Sequence, residues 1–256
     1  MGWPGTPVYY SATSGELGHE SIEDNMKKVG IIGGLGPEST VDYYRSFIAA
    51  YRSRVNDGSY PHFVVNSINL TRVMAHVAAQ QEDELVEMLA SELAVLAGAG
   101  ADLALISANT PHIVFDEIQR RSPIPIISIV EATCKEVKAR GIKKPALFGT
   151  RFTMRAGFYP SVFDCSGIEV VTPAPEDQDA IHGIYMNELI PGIFKPESRA
   201  VLLEIVDRMR ETEGIDGVIL GATELPLILR EEAYGGVPFL NTTKIHIEAA
   251  IERMLS

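Results

Sequence analysis

Two stretches of this chain read almost alike and stand 114 positions apart. Ala104-Leu105-Ile106-Ser107-Ala108-Asn109-Thr110-Pro111 is the first, and Val218-Ile219-Leu220-Gly221-Ala222-Thr223-Glu224-Leu225 is the second. Each runs from an apolar segment through a small residue, Ala108 or Ala222, into polar side chains and then a helical pattern. Their surroundings repeat as well. Gly100-Ala101-Asp102 precedes the first and Gly214-Ile215-Asp216 the second; Ile124-Pro125-Ile126-Ile127-Ser128 follows the first and Val237-Pro238-Phe239-Leu240-Asn241 the second. A repeat of this length implies two copies of one α/β unit. Two such units facing each other make a cleft with matched strand ends on its walls.

Within each copy, short apolar strands alternate with helical patterns, which predicts parallel sheets with both faces covered. The first copy is expected to hold strands near 29–32, 63–68, 103–106 and 124–129, with helices over 37–52, 82–97, 111–120 and 131–140. The second is expected to hold strands near 145–148, 169–171, 218–220 and 237–240. Its helices are expected over 154–163, 181–189, 198–212, 226–232 and 244–255. Ligands of such sheets bind at the carboxyl ends of the strands. Four polar stretches fall there: the turn from Gly33 to Thr40, the loop Gly149-Thr150-Arg151-Phe152-Thr153, and the two repeated stretches.

The amides around Gly34 and Gly36, at the start of a helix, suit a carboxylate or phosphate. Asn109, Thr110, Thr150, Thr153, Thr223 and Glu224 form a polar set that suits a small molecule carrying both a carboxylate and an ammonium group. Singly, each of these side chains is as well explained as a helix cap. Their matched placement in two copies is what points to a site. A second carboxylate on the ligand would need a cation, for which Arg72 and Arg151 are the candidates, with Lys195 a third.

The 256 residues, 46% of them hydrophobic, can bury a full core in one large domain or two smaller ones. A net charge of −12 without a basic stretch argues against nucleic acid. No apolar run approaches a membrane span. Cys134 and Cys165 have neither metal-like spacing nor a disulfide framework, which suits a reducing cytoplasm. The histidines at 62, 76, 112, 182 and 246 are scattered, so no metal site is expected. The glycine turn lacks the third glycine of a dinucleotide fingerprint, and no acidic residue ends the second strand. Residues 1–26 are polar and aperiodic, without the charged start and apolar centre of a signal peptide, and read as an extension or tag-like segment. Met26, just before the first strand, looks like a natural start.

Taken in order, Gly-Gly-Leu-Gly-Pro-Glu-Ser-Thr (33–40), Ser-Ala-Asn-Thr-Pro-His (107–112), Gly-Thr-Arg-Phe-Thr-Met (149–154), Gly157-Phe158-Tyr159, Gly-Ala-Thr-Glu (221–224) and Asn-Thr-Thr-Lys-Ile-His (241–246) resemble the cofactor-independent aspartate/glutamate racemase family. The resemblance covers the chain from about Lys27 onward. It implies two pseudo-symmetric parallel-sheet α/β domains with the active site between them, and a homodimer. It also implies a first domain over 27–123 plus 237–256 and a second over 124–236. It further implies two-base proton transfer at the α-carbon of aspartate or glutamate, without a cofactor, by one cysteine on each face of the carbon.

At the two cysteine positions this chain has Ala108 and Ala222. A methyl group carries no proton, so little or no racemase activity is expected. Deliberate substitution of both cysteines, or a natural lineage that lost the chemistry and kept binding or does different chemistry, would account for this. The alternative function is a non-catalytic binding protein for acidic amino acids or dicarboxylates. Where related aspartate racemases often carry a lysine after a Gly-Ile-Tyr stretch, this chain has Glu188 or Leu189. That leaves glutamate or a broader range open.

Overall fold

The computed structural model describes residues 26–256; the extension expected at the N-terminus lies outside the described residues, save for Met26. Two parallel sheets are formed. In the first, β1 (Val29–Gly33) lies between β2 (Phe63–Ser67) and β3 (Leu103–Ile106), and a single parallel bridge joins Ala104 to Ile126 beyond β3. In the second, β4 (Pro145–Gly149), β5 (Gly217–Gly221) and β7 (Val237–Asn241) run parallel, with the two-residue antiparallel β6 (Ala233–Tyr234) at the edge. Val171 bridges to Ala146 outside β4. Set side by side, the order β2, β1, β3, Ile126 matches the order Val171, β4, β5, β7. The repeat in the sequence is therefore a repeat of topology. The strands expected at 124–129 and 169–171 are each reduced to one bridge.

Alternation along the strands sorts the core into layers. Val29, Ile31, Leu103 and Leu105 face Tyr43, Phe47 and Tyr51 of α1 (Pro37–Arg54). Ile32, Ala104 and Ile106 face the opposite layer, with Leu85, Leu89, Leu93 and Leu96 of α3 (Glu82–Gly98). Each of the buried Val, Ile, Leu and Phe side chains contributes about 1.5–3 kcal/mol.

The helices that close the two units are exchanged. Helix α5 (Ile129–Ala139), capped by the Ser128 hydroxyl, follows the bridge at Ile126 but buries Ile129, Val130, Cys134 and Val137 in the core of the second sheet. Helix α11 (Thr242–Met254), capped by Asn241, follows β7 but buries Ile247, Ala250, Ile251 and Met254 against the first sheet. The boundary expected at 237 is corrected accordingly. Strand β7 pairs with β5 and stays with the second sheet, Ile126 stays with the first, and only the helices cross.

The other departures are local. Helix α2 (Leu70–Ala78) was not expected; the Asn69 side chain accepts from the Thr71 N–H and starts it. The helix expected over 154–163 is two, α6 (Arg151–Arg155) and α7 (Phe158–Asp164), because Gly157 at φ 79° turns the chain between them. The helix expected over 181–189 begins earlier, as α8 (Pro175–Ile184) with Pro175 in its first turn, and ends in a π-helical turn, Tyr185–Leu189. After the long α9 (Pro196–Glu213), the helix expected over 226–232 is the single turn α10 (Leu225–Ile228). The remaining helix, α4 (Phe115–Arg121), follows a 3-10 turn over Thr110–Val114. Among the described residues, no helix is long and apolar enough to cross a membrane.

Candidate active site

The carboxyl ends of the two sheets face each other, and the repeated stretches meet there. Ala108, just after β3, and Ala222, just after β5, both line one cavity between the units. Ala108 is turned out of its strand by a tight bend in which its N–H donates to the Ile106 carbonyl (2.8 Å). Ser107 points the other way, its hydroxyl donating to Ile32 O (2.8 Å), as strand alternation requires. The cavity holds 20 Å³, about the room of one water. An amino acid enters only if the walls move apart.

Asn109, Thr110, Thr150 and Thr223 also line this space. Asn109 is anchored at both ends of its amide. The Tyr159 hydroxyl donates to its Oδ1 (2.6 Å), and its Nδ2 donates to Thr242 Oγ1 (3.3 Å), which donates in turn to Leu220 O (2.7 Å). Thr110 belongs to the first unit, Thr150 and Thr153 to the second. Their three hydroxyls form a triangle with sides of 3.0–3.1 Å across the boundary. Thr150 also caps α6 by accepting from the Thr153 N–H. Capping and cavity lining, alternatives in the sequence, coincide in this residue.

Gly34 and Gly36 sit behind the cavity, with Leu35 between them on its wall. The Gly34 N–H is taken by Thr40 Oγ1 (2.8 Å), so that amide does not offer itself to an anion. Gly36, at φ 134°, lies against Glu224: a Cβ on it would stand 1.8 Å from Glu224 Oε1. Glu224 is fully buried. Its Oε2 accepts from the Thr223 hydroxyl (3.2 Å) and its Oε1 has no partner. Tyr185 lies beside it without a well-formed bond. Burial pushes its carboxyl up to about 7, Tyr185 and Thr223 oppose this, and the charge of Glu38 adds to it.

A carboxyl held more tightly protonated when folded than when unfolded favours the fold at low pH. That contribution is complete below the ordinary value and is lost as pH rises from about 4.5 to 7. Glu224→Gln is therefore expected to be more stable than the parent at pH 8 by about 3 kcal/mol, with the difference gone at pH 4. Urea unfolding at both pH values checks this; a gap that does not change with pH would rule it out.

The expected cations are not at the cavity. Arg72 is exposed on α2 and Arg151 pairs with Asp179 (3.0 Å) on the surface. Lys195 pairs with Glu188 (3.1 Å), which also accepts from Ser198. None of the three is among the lining residues. The lining residues that sequence reasoning missed are mostly apolar: Leu70, Val73 and Met74 from α2, and Met186 and Ile190 from the π-helical turn and its end, with Tyr185 of that turn adding a hydroxyl. Asn69 followed by apolar 70, 73, 74 and 77 was a readable signal for α2. The π-turn, closed by the Ile190 N–H donating to Tyr185 O (3.0 Å), left none. Among the described residues, no group of three His, Cys, Asp or Glu side chains is placed to hold a metal.

Comparison with known proteins agrees with this architecture. A crystal structure from Pyrococcus horikoshii OT3 of PH1733, described as an aspartate racemase homologue, superposes with a TM-score of 0.75 at 37% identity over 89% of this chain and 98% of that one. A Yersinia pestis structure, assigned provisionally as an Asp/Glu racemase, superposes with a TM-score of 0.80 at 31% identity over 90% of this chain and 100% of that one. The broad specificity amino-acid racemase RacX of Bacillus subtilis (strain 168) is 25% identical over 89% of this chain and 98% of its own length. The sequence profile of the Asp/Glu/Hydantoin racemase family matches residues 32–250, taking in both sheets and both walls of the cavity. The paired α/β units, the strand ends that meet between them and these similarities together show that the chain belongs to that family.

Proposed function

We propose that this chain is an amino-acid racemase scaffold that binds an amino acid and does not invert it. The observation that carries the reading is the pair Ala108 and Ala222, which line one cavity from equivalent strands of opposite units. Racemisation by two bases needs a group that removes the α-proton on one face of the carbon and a second that returns a proton to the other. Cysteine thiols at these two points would do so without a cofactor, a thiolate taking the proton and the opposing thiol giving one. Methyl groups do neither. The Thr110, Thr150 and Thr223 hydroxyls and the Asn109 amide are suited to holding the carboxylate and ammonium groups of the ligand, with the Glu224 carboxyl buried behind Thr223.

The test is α-proton exchange in heavy water, followed by proton NMR. The parent chain is compared with the Ala108→Cys/Ala222→Cys variant, on both enantiomers of aspartate, glutamate, methionine and leucine. Exchange with inversion in the variant alone is the expected result. Exchange by the parent would mean that other groups carry out the chemistry. A folded double variant that exchanges nothing would favour the second reading, a binding protein outside racemase chemistry.

A further inference from the structure

We infer that the ligand of this cavity carries an uncharged aliphatic or thioether side chain, in the class of methionine and leucine, rather than a second carboxylate. The inference rests on the reading of the cavity as an amino-acid site. The polar lining comes from the strand ends and the turns that follow them, at Asn109, Thr110, Thr150 and Thr223. The elements that flank those ends supply something else. Helix α2 contributes Leu70, Val73 and Met74, and the π-turn segment contributes Tyr185, Met186 and Ile190, the Tyr185 hydroxyl lying by Glu224. The polar groups suffice for a carboxylate and an ammonium. What remains for the variable part of the ligand is a wall of hydrocarbon and two thioethers.

Charge points the same way. Among the described residues, no Lys, Arg or His side chain lines the cavity. The cations nearest in sequence to its walls are engaged elsewhere or exposed, Arg151 with Asp179, Lys195 with Glu188, and Arg72 on the outer face of α2. The ionisable groups behind the wall are carboxyls: Glu224, against Gly36, and Glu38, whose charge is felt at Glu224. A second carboxylate on the ligand would be desolvated among apolar side chains, without a partner and with like charges behind. Two methionines suit side chains of differing shape, because an unbranched thioether adapts to its neighbour. The site is thereby tuned to apolarity and bulk rather than to one outline.

The experiment is titration calorimetry at pH 7.5 on the full chain, with both enantiomers of methionine, leucine, aspartate, glutamate and lysine. Methionine and leucine are expected to bind more tightly than aspartate and glutamate by on the order of a hundredfold. Met186→Arg, at a half-buried wall position, is expected to move the preference toward glutamate by about tenfold or more. Aspartate or glutamate binding as well as methionine to the parent would overturn the inference and leave the amino-acid-site reading standing. Tighter binding of lysine would overturn it in the other direction. A folded Met186→Arg chain with unchanged preference would also overturn it, because the ligand side chain would then lie elsewhere. Failure of every amino acid to bind would remove the amino-acid-site reading, and this inference with it.

Discussion

Gly34→Ala is expected to destabilise the chain by about 4 kcal/mol or more, enough to unfold many domains of ordinary stability. Gly34 has φ 76°, and a Cβ there would stand 2.3 Å from the Ile68 carbonyl oxygen and 2.7 Å from the Ile68 nitrogen. Those atoms are backbone, held by the Ile68 N–H donating to Gly33 O (2.9 Å), so no rotamer change relieves the overlap. Gly36→Ala is a useful contrast. Its φ of 134° is as unfavourable to a side chain, but its clash is with the tip of Glu224. Part of the Gly36→Ala effect should vanish in a Glu224→Ala background, whereas the Gly34→Ala effect should not. Urea unfolding of the parent, the three single variants and the two double variants decides it. A Gly34→Ala midpoint within about 1 kcal/mol of the parent would mean that the β2–α2 junction yields.

A loss of similar size is expected on acidification, from two buried histidines. His112 Nδ1–H donates to Ala108 O (3.0 Å) and its Nε2 accepts from the Ile129 N–H (3.3 Å). His246 Nε2–H donates to Ile127 O (2.8 Å) and its Nδ1 accepts from the Tyr43 hydroxyl (2.9 Å). Each ring is neutral, with one nitrogen occupied as an acceptor; protonation would set His112 Nε2–H against the Ile129 N–H, and at His246 would force the Tyr43 hydroxyl to turn and accept. Burial, and for His112 the neighbouring His246, push the two down to about 3 and about 4.

The unfolded chain thus binds protons below pH 6.5 that the folded chain refuses. Stability is full above that value and falls as pH drops, by about 3 kcal/mol per histidine at pH 4. Glu224 works in the opposite sense between about 4.5 and 7 and masks part of the loss. The measurement is therefore best made in the Glu224→Gln chain, where His246→Gln should remove about half of the slope between pH 6.5 and 4. An unchanged slope would place the proton uptake on other groups.

The exchanged helices, the π-turn and the cations explain what was legible in the sequence and what was not. Strand ends were readable because Ala108 and Ala222 follow apolar runs at matched places, and buried parallel strands leave that mark. The polar lining followed from the same stretches. Which sheet a helix covers was not readable, since α5 and α11 have apolar faces that say only that each is covered. The repeat itself linked Val237–Asn241 to Ile124–Ser128 and hence to a sheet of its own copy. The boundary drawn from family resemblance moved strand and helix together, and only the helix moves. Arg72 and Arg151 stand out by their charge, but long side chains choose partners in three dimensions, and Arg151 pairs with Asp179 outside the cavity lining. The apolar half of the lining was overlooked because it comes from α2, which was missed, and from a π-turn that depends on one backbone hydrogen bond.

The exchange also bears on how the chain is made. The layer formed by Val29, Ile31, Leu103 and Leu105 is covered in part by α1 and in part by α11, whose residues are made more than 130 positions after β3. At roughly 5–20 residues per second, about 7–30 s separate the completion of β3 from that of α11. During that time the part of the nascent first sheet that α11 will cover shows an apolar strip to whatever is near the ribosome. A chain cut short before residue 242 would keep that strip bare indefinitely. The protein should therefore depend on holding chaperones while it is being translated, and a chain that stops before α11 should yield aggregates rather than a stable first half.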